Sequence, residues 1–180
     1  MDPLEIIAEF YQPGTKTYDI LVQHGQQVAD KAVSSAKKVP HLNPDLNFIR
    51  EAAMLHDIGI FLTHTPELGC TGKHSYVCHG YLGREILESK GLSKHALVCE
   101  RHVGVGITAE EIKHHNLPLP QRDMVPVSIE EQVICFADKF FSKNGNLIAT
   151  EKSVEDILRR LESYGADKVI IFQSWVRLFK

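Results

Sequence analysis

The sequence predicts an all-α, single-domain helical bundle, and three features carry that reading. Apolar residues recur at intervals of three and four along most of the 180-residue chain, and no alternation of period two is sustained. Capping residues and Gly or Pro breakers separate the periodic stretches. The length suits one domain, with a core large enough to need no covalent staples.

A short helix is expected within Met1 to Phe10, closed by Pro13 and Gly14. From Thr17 to about Lys38 a second helix sets Ile20, His24 and Val28 four residues apart, which turns His24 towards the core. After the break at Pro40 to Pro44, Asp45 is placed to cap a helix whose face carries Phe48, Ile49, Ala52, Ala53 and His56, and Gly59 suits its end. Ile60 to Tyr76 reads as a long loop of the kind that often serves as a lid. Val77 to Ser89 and Ser93 to Val103 resume helical spacing on either side of Gly91, with His79 and His102 on faces that can turn inward. Thr108 with Glu111 forms a capping-box pattern, and Leu117 to Val127, with Pro118, Pro120 and Pro126, must be extended. Ser128 and Glu131 open a helix read as VSIEEQVICFADKFFSK, in which Asp138 sits beside Ile134 and Phe141. Ser153 with Asp156 starts a further helix ending near Gly165, and a last helix from Asp167 carries Trp175 and Phe179 as core or dimer contacts.

Composition excludes several classes. A net charge of -3 without a basic cluster offers no footprint for duplex nucleic acid. Cys70, Cys78, Cys99 and Cys135 form no C-x-x-C pair, which suits the reduced thiols of a cytosolic protein. No leader opens the chain and no apolar run reaches the ~20 residues of a membrane helix, so a cytoplasmic protein with no membrane partner is expected.

Four residues stand at the inward edges of three predicted helices: His24, His56, Asp57 and Asp138. Two neutral imidazoles and two carboxylates balance one divalent cation. Nitrogen and oxygen donors without thiolate suit Mn, Fe, Co, Ni or Zn and leave positions open for water, as catalytic rather than structural sites do. With ten histidines in the chain, a His-Asp pair alone is weak evidence, and a single inward histidine is more often a hydrogen-bonded core residue than a ligand. Two buried unpaired carboxylates, however, are costly. Consecutive helix residues point about 100° apart, so His56 and Asp57 share an ion only if it lies in a crevice beside the helix.

The segments LVQHGQQVA, LHDIG, CHGYLGREIL, ERHVGVG and VICFADKFFSK, in that order, resemble the HD-domain metal-dependent phosphohydrolases over about Val22 to Lys143. The arrangement is similar to that of the HD-type dinucleoside tetraphosphate hydrolases. The resemblance implies an HD-type bundle, with its core at about 17–143 and the helices of 153–180 packed on it. It implies His24, His56, Asp57 and Asp138 as ligands of a first ion, and His79 and His102 as ligands of a second, with Asp57 bridging the two. Two divalent transition-metal ions would then clamp a phosphate and activate water, which fits a chain lacking both G-x-S-x-G and a P-loop. The implied reaction, in the EC 3.1 or 3.6 class, is hydrolysis of a phosphoester or phosphoanhydride in a nucleotide-like small molecule.

Two other readings stay open: a one-metal nucleotide 5′-monophosphatase, with His79 and His102 as spectators, and a non-enzymatic metal-bound sensor or scaffold. Ile60 stands where the cyclic-dinucleotide HD-GYP branch has a lysine, and no GYP follows His102, which disfavours that branch. Lys139, Arg101, Lys73 and Arg122 are candidates for contact with the substrate phosphate, although solvation is the commoner role of such side chains. His64, His74 and Cys70 lie in the loop after the His-Asp pair, while His41, His95, His114 and His115 read as surface or turn residues. Homodimerisation is left open.

Overall fold

In the computed structural model, which describes residues 1–143 and 151–180, the helices are α1 (Pro3–Ala8), α2 (Lys16–Ala36), α3 (Leu46–Leu55), α4 (His79–Ser89), α5 (Ser93–Arg101), α6 (Ala109–His114), α7 (Ile129–Asp138), α8 (Val154–Glu162) and α9 (Ala166–Phe179). Side-chain caps fix most of their starts. Asp2, Thr15, Asp45, Thr108, Ser128 and Ser153 each accept a hydrogen bond from an amide in the first turn that follows. At Thr108 the capping box is complete, because Glu111 also accepts from the Thr108 amide. At Ser128 it is not: Glu131 turns instead to the Val127 amide and to Arg101.

Apolar stripes on α2, α3 and α7 face one another, and α8 and α9 close the side where Phe136 packs against Phe140, Phe172 and Phe179. Trp175 and Phe179 are thus core residues. A second apolar cluster, with Ile7, Leu55, Ile58, Leu87 and Cys99, joins α1 and α3 to α4 and α5. No described helix is long and apolar enough to cross a membrane.

Residues 60–76 are ordered more tightly than a loop reading implies. A two-residue antiparallel ladder, β1 (His64–Thr65) with β2 (Cys70–Thr71), is the one sheet among the described residues. The Thr17 hydroxyl donates to the Leu68 carbonyl at 2.7 Å, and the Tyr11 hydroxyl donates to Ile58 O at 2.9 Å while accepting from the Phe61 amide at 3.0 Å. His64 and His74 are exposed, and Cys70 is buried in the second core cluster. Likewise His41, His114 and His115 are exposed, but His95 is half-buried against the Phe48 ring, with Glu51 3.4 Å from its Nε2.

Two helices stop earlier than their periodicity indicates. The chain leaves α3 at His56, and α7 ends at Asp138 rather than running on to Lys143. Gly59 is not the terminator of α3. It lies in the 3₁₀ turn Ile58–Leu62, where a Cβ would collide with the His79 carbonyl and lie 2.5 Å from the Gly83 amide. Its lack of a side chain therefore sets how closely the segment after Asp57 approaches α4. Gly91 is different: at φ 74°, with Leu92 N bonded to Leu87 O at 2.9 Å, it ends α4 in the left-handed region.

These two glycines separate two costs. Gly59→Ala is expected to destabilise the fold by about 3 kcal/mol, because backbone must move. Gly91→Ala, with nothing within 4 Å of its Cβ, should cost about 1 kcal/mol of backbone strain. Urea midpoints compare them, and equal losses would contradict the packing role of Gly59.

A pH effect follows from α6. Burial works against the Glu111 carboxylate, but Lys168, at 2.6 Å, and Thr108 hold its pKa below the usual 4.5. A depressed folded value contributes stability above the unfolded pKa that is lost as pH falls through the folded one. Glu111→Gln should flatten the decline in stability below about pH 4.5, measured as urea midpoint against pH.

Candidate metal centre

Three helix C-termini converge at the centre of the molecule. His56 caps α3, His102 caps α5 and Asp138 is the last residue of α7. Their dipoles present partial negative charge there, a setting that favours a cation. His24 reaches the same point from the middle of α2, and His79 from the first position of α4. Asp57, outside α3 at φ -105° and ψ 8°, has left helical geometry, so His56 and Asp57 need not diverge as consecutive helix residues do.

The donors fall into two groups that share Asp57. Around Asp57 Oδ2, His24 Nε2 lies at 3.4 Å and His56 Nε2 at 3.1 Å. Asp138 Oδ1 approaches the same two nitrogens, at 2.9 and 3.5 Å. Around Asp57 Oδ1, His79 Nε2 lies at 3.3 Å and His102 Nε2 at 3.4 Å, with 3.0 Å between the two nitrogens. Donors about 2.1 Å from one ion at right angles stand about 3.0 Å apart, so both groups fit a divalent metal.

The tautomers support the same fit. His56, His79 and His102 each donate Nδ1–H to the carbonyl three residues earlier, Ala53, Tyr76 and Cys99, at 2.6 to 2.7 Å. In the neutral ring, the form that ligates a metal, each Nε2 is then a lone pair, the arrangement seen when a second partner orients a metal-binding imidazole. His79 and His102 therefore face each other with two acceptors, which repel unless a cation lies between them. Both Asp57 oxygens and His56 Nε2 are buried without a hydrogen bond among the described residues. Two thiols fix the backbone behind the rings: Cys99 donates to His56 O at 2.9 Å and Cys135 to His102 O at 3.3 Å.

The electrostatics draw positive charge to the same place. Burial opposes ionisation of Asp57, but His56 and Lys143 hold its pKa well below the usual range; Lys139 and Lys143 do so for Asp138. Burial, with Lys143, lowers His24 to about 4, and burial lowers His102 to about 3 despite the nearby Asp57 carboxylate. Both are neutral and ready to ligate. His56 instead is raised to about 9, because Asp57 and Asp138 outweigh its burial. A divalent ion would supply the charge that this proton supplies without it.

All six expected ligands are thus brought together, each no more than 6% exposed. The phosphate candidates are dispersed. Arg101 pairs with Glu131 at 3.0 Å, Arg122 with buried Glu100 at 2.5 Å, and Lys73 lies exposed after β2. Lys139 stays near the centre, its Nζ 2.8 Å from Asp138 Oδ2. Sequence reasoning missed Lys143, whose Nζ is 2.9 Å from Asp57 Oδ2, together with Tyr76, whose ring packs on His79 at 4.6 Å between centroids. Had α7 continued, Lys143 would point about 140° away from Asp138. The early stop folds it back.

Comparison with known proteins identifies the family. A family model for the HD domain matches residues 21–142. An uncharacterized protein of Methanocaldococcus jannaschii is 35% identical over 147 residues, 79% of this chain and 75% of that protein. A tRNA (cytidine(56)-2'-O)-methyltransferase of Thermoplasma volcanium is 32% identical over 151 residues, 79% of this chain and 40% of the relative. One from Picrophilus torridus is 33% identical over 125 residues, 69% of this chain and 32% of the relative. The chain therefore spans less than half the length of either methyltransferase. The HD domain of the L. monocytogenes phosphodiesterase PgpH, in complex with cyclic-di-AMP, aligns with 97% of this chain and 94% of its own at a TM-score of 0.55 and 15% identity. Another structure of that domain gives 0.52 and 14%, covering 96% of this chain and 94% of its own, and both are likenesses of fold. With the family match enclosing His24, His56, Asp57, His79, His102 and Asp138, the chain belongs to the HD domain family.

Proposed function

We propose that this chain is a metal-dependent phosphohydrolase that cleaves a phosphoester or phosphoanhydride bond in a nucleotide-like small molecule. The observation that carries the reading is Asp57, whose two buried oxygens face two different pairs of imidazole nitrogens. Two divalent ions held there would activate water and polarise the phosphoryl oxygens. His24, His56 and Asp138 would hold one ion and His79 and His102 the other, with Asp57 as the ligand common to both groups. The carbonyls of Ala53, Tyr76 and Cys99 keep three of the rings in the ligating tautomer.

Water as the nucleophile accords with the thiols nearby. Burial raises Cys99 well above its ordinary value and Cys135 to about 12, and both turn to backbone carbonyls. The facing lone pairs of His79 and His102 favour two ions over the one-metal monophosphatase reading. The PgpH complex motivates including cyclic dinucleotides among test substrates, although Ile60 stands where the HD-GYP branch keeps a lysine.

Two outcomes are expected. With Mn or Fe, the protein should hydrolyse a chromogenic phosphodiester or at least one member of a nucleotide panel, and Asp57→Ala should lower turnover by more than about 100-fold. Turnover unchanged in that variant would rule out the mechanism. Separately, Mn at 100 times its Kd should add about 2.7 kcal/mol of stability to the native protein and none to Asp57→Ala, as read from urea midpoints.

A further inference from the structure

Lys143 belongs to none of the donor groups, yet its ammonium lies 2.9 Å from Asp57 Oδ2 and 3.6 Å from Asp138 Oδ1. Tyr76, whose ring packs on His79 at 4.6 Å between centroids, interacts electrostatically with the same ammonium. Exposure separates these two residues from the donors. The Lys143 side chain is 14% exposed and Tyr76 39%, whereas the donors are nearly sealed. Lys143 and Tyr76 are therefore better placed than the donors to meet a solute. Among the described residues Lys139 pairs instead with Asp138 alone, its Nζ 2.8 Å from Oδ2, and does not reach Asp57.

Charge gives this position a purpose. Asp57 and Asp138 together carry two negative charges, which the first divalent ion balances and a second exceeds. Once they are balanced, the Lys143 ammonium is in excess, partly exposed and on a flexible stem that can turn to an arriving anion. The Tyr76 hydroxyl, beside it, supplies a second donor. From this geometry we propose that Lys143 and Tyr76 form the anchor for the substrate's phosphoryl group, Lys143 taking a non-bridging oxygen as an ion pair and Tyr76 donating a hydrogen bond. This assignment rests on the phosphohydrolase reading and replaces Arg101, Arg122 and Lys73 as the phosphate contacts.

The test is calorimetric titration of inorganic phosphate into Mn-loaded protein, with metal content matched between variants. Lys143→Met is expected to weaken phosphate binding roughly 10- to 100-fold, Lys143→Arg to restore most of it, and Tyr76→Phe, which keeps the ring on His79, to weaken it roughly 3- to 10-fold. If Lys143→Met proves unable to fold, the half-exposed Tyr76→Phe variant decides alone. Equal phosphate affinity in wild type and variants overturns the proposal, as does wild-type protein that binds no phosphate. Tighter Mn binding by Lys143→Met without loss of phosphate affinity also overturns it, leaving the ammonium as a counter-charge for Asp57. Phosphate binding that depends on Lys143 in a protein without turnover would sustain the anchor while removing the hydrolase reading.

Discussion

A carboxylate buried to 1% exposure, at a point where three helices direct their negative ends, is the constraint on which the rest of the molecule depends. Left alone, Asp57 would be too costly to ionise in that setting. Everything around it either supplies positive charge or prepares for it: the neutral rings of His24 and His102, the charged His56, and the ammonium of Lys143. Ion pairing on its own is a weak source of stability in such a place, because desolvation offsets the attraction. The site is organised for a cation rather than for the fold.

Holding that arrangement takes close packing more than hydrogen bonding. Gly59 lets the segment after Asp57 lie directly on α4, and Gly83 leaves room for the Cys99 thiol between α4 and α5. The same thiol holds the His56 carbonyl, so one small buried side chain fills space and fixes the backbone of a donor. Tyr11, from the connection after α1, ties down the turn after Asp57 through Ile58 and Phe61. The donors are thereby preset, and little reorganisation remains to oppose binding.

Most of the helices were legible because capping residues and apolar spacing are local signals. Thr108 with Glu111 and the Gly91 terminator are read from a few neighbouring residues and appear as read. The six clustered residues were legible through their order along the chain, since that order carries the family resemblance. What spacing could not convey was where helices stop for tertiary reasons. Periodicity runs through His56 and on towards Lys143, while the chain leaves α3 and α7 earlier to bring Asp57 and Lys143 inward. Gly59 misled for a related reason: a glycine after an apolar helix looks like a cap, and its actual use depends on α4, twenty residues away. The partners of Arg101 and Arg122 were hidden likewise, because Glu131 and Glu100 meet them only once the helices have packed.

The elemental metal content of protein purified without added metal tests most directly whether Asp57 joins two centres. Near two ions per chain are expected, falling to near one in His79→Ala or His102→Ala with the fold intact. A wild-type content near one that neither substitution changes would contradict the shared-carboxylate centre.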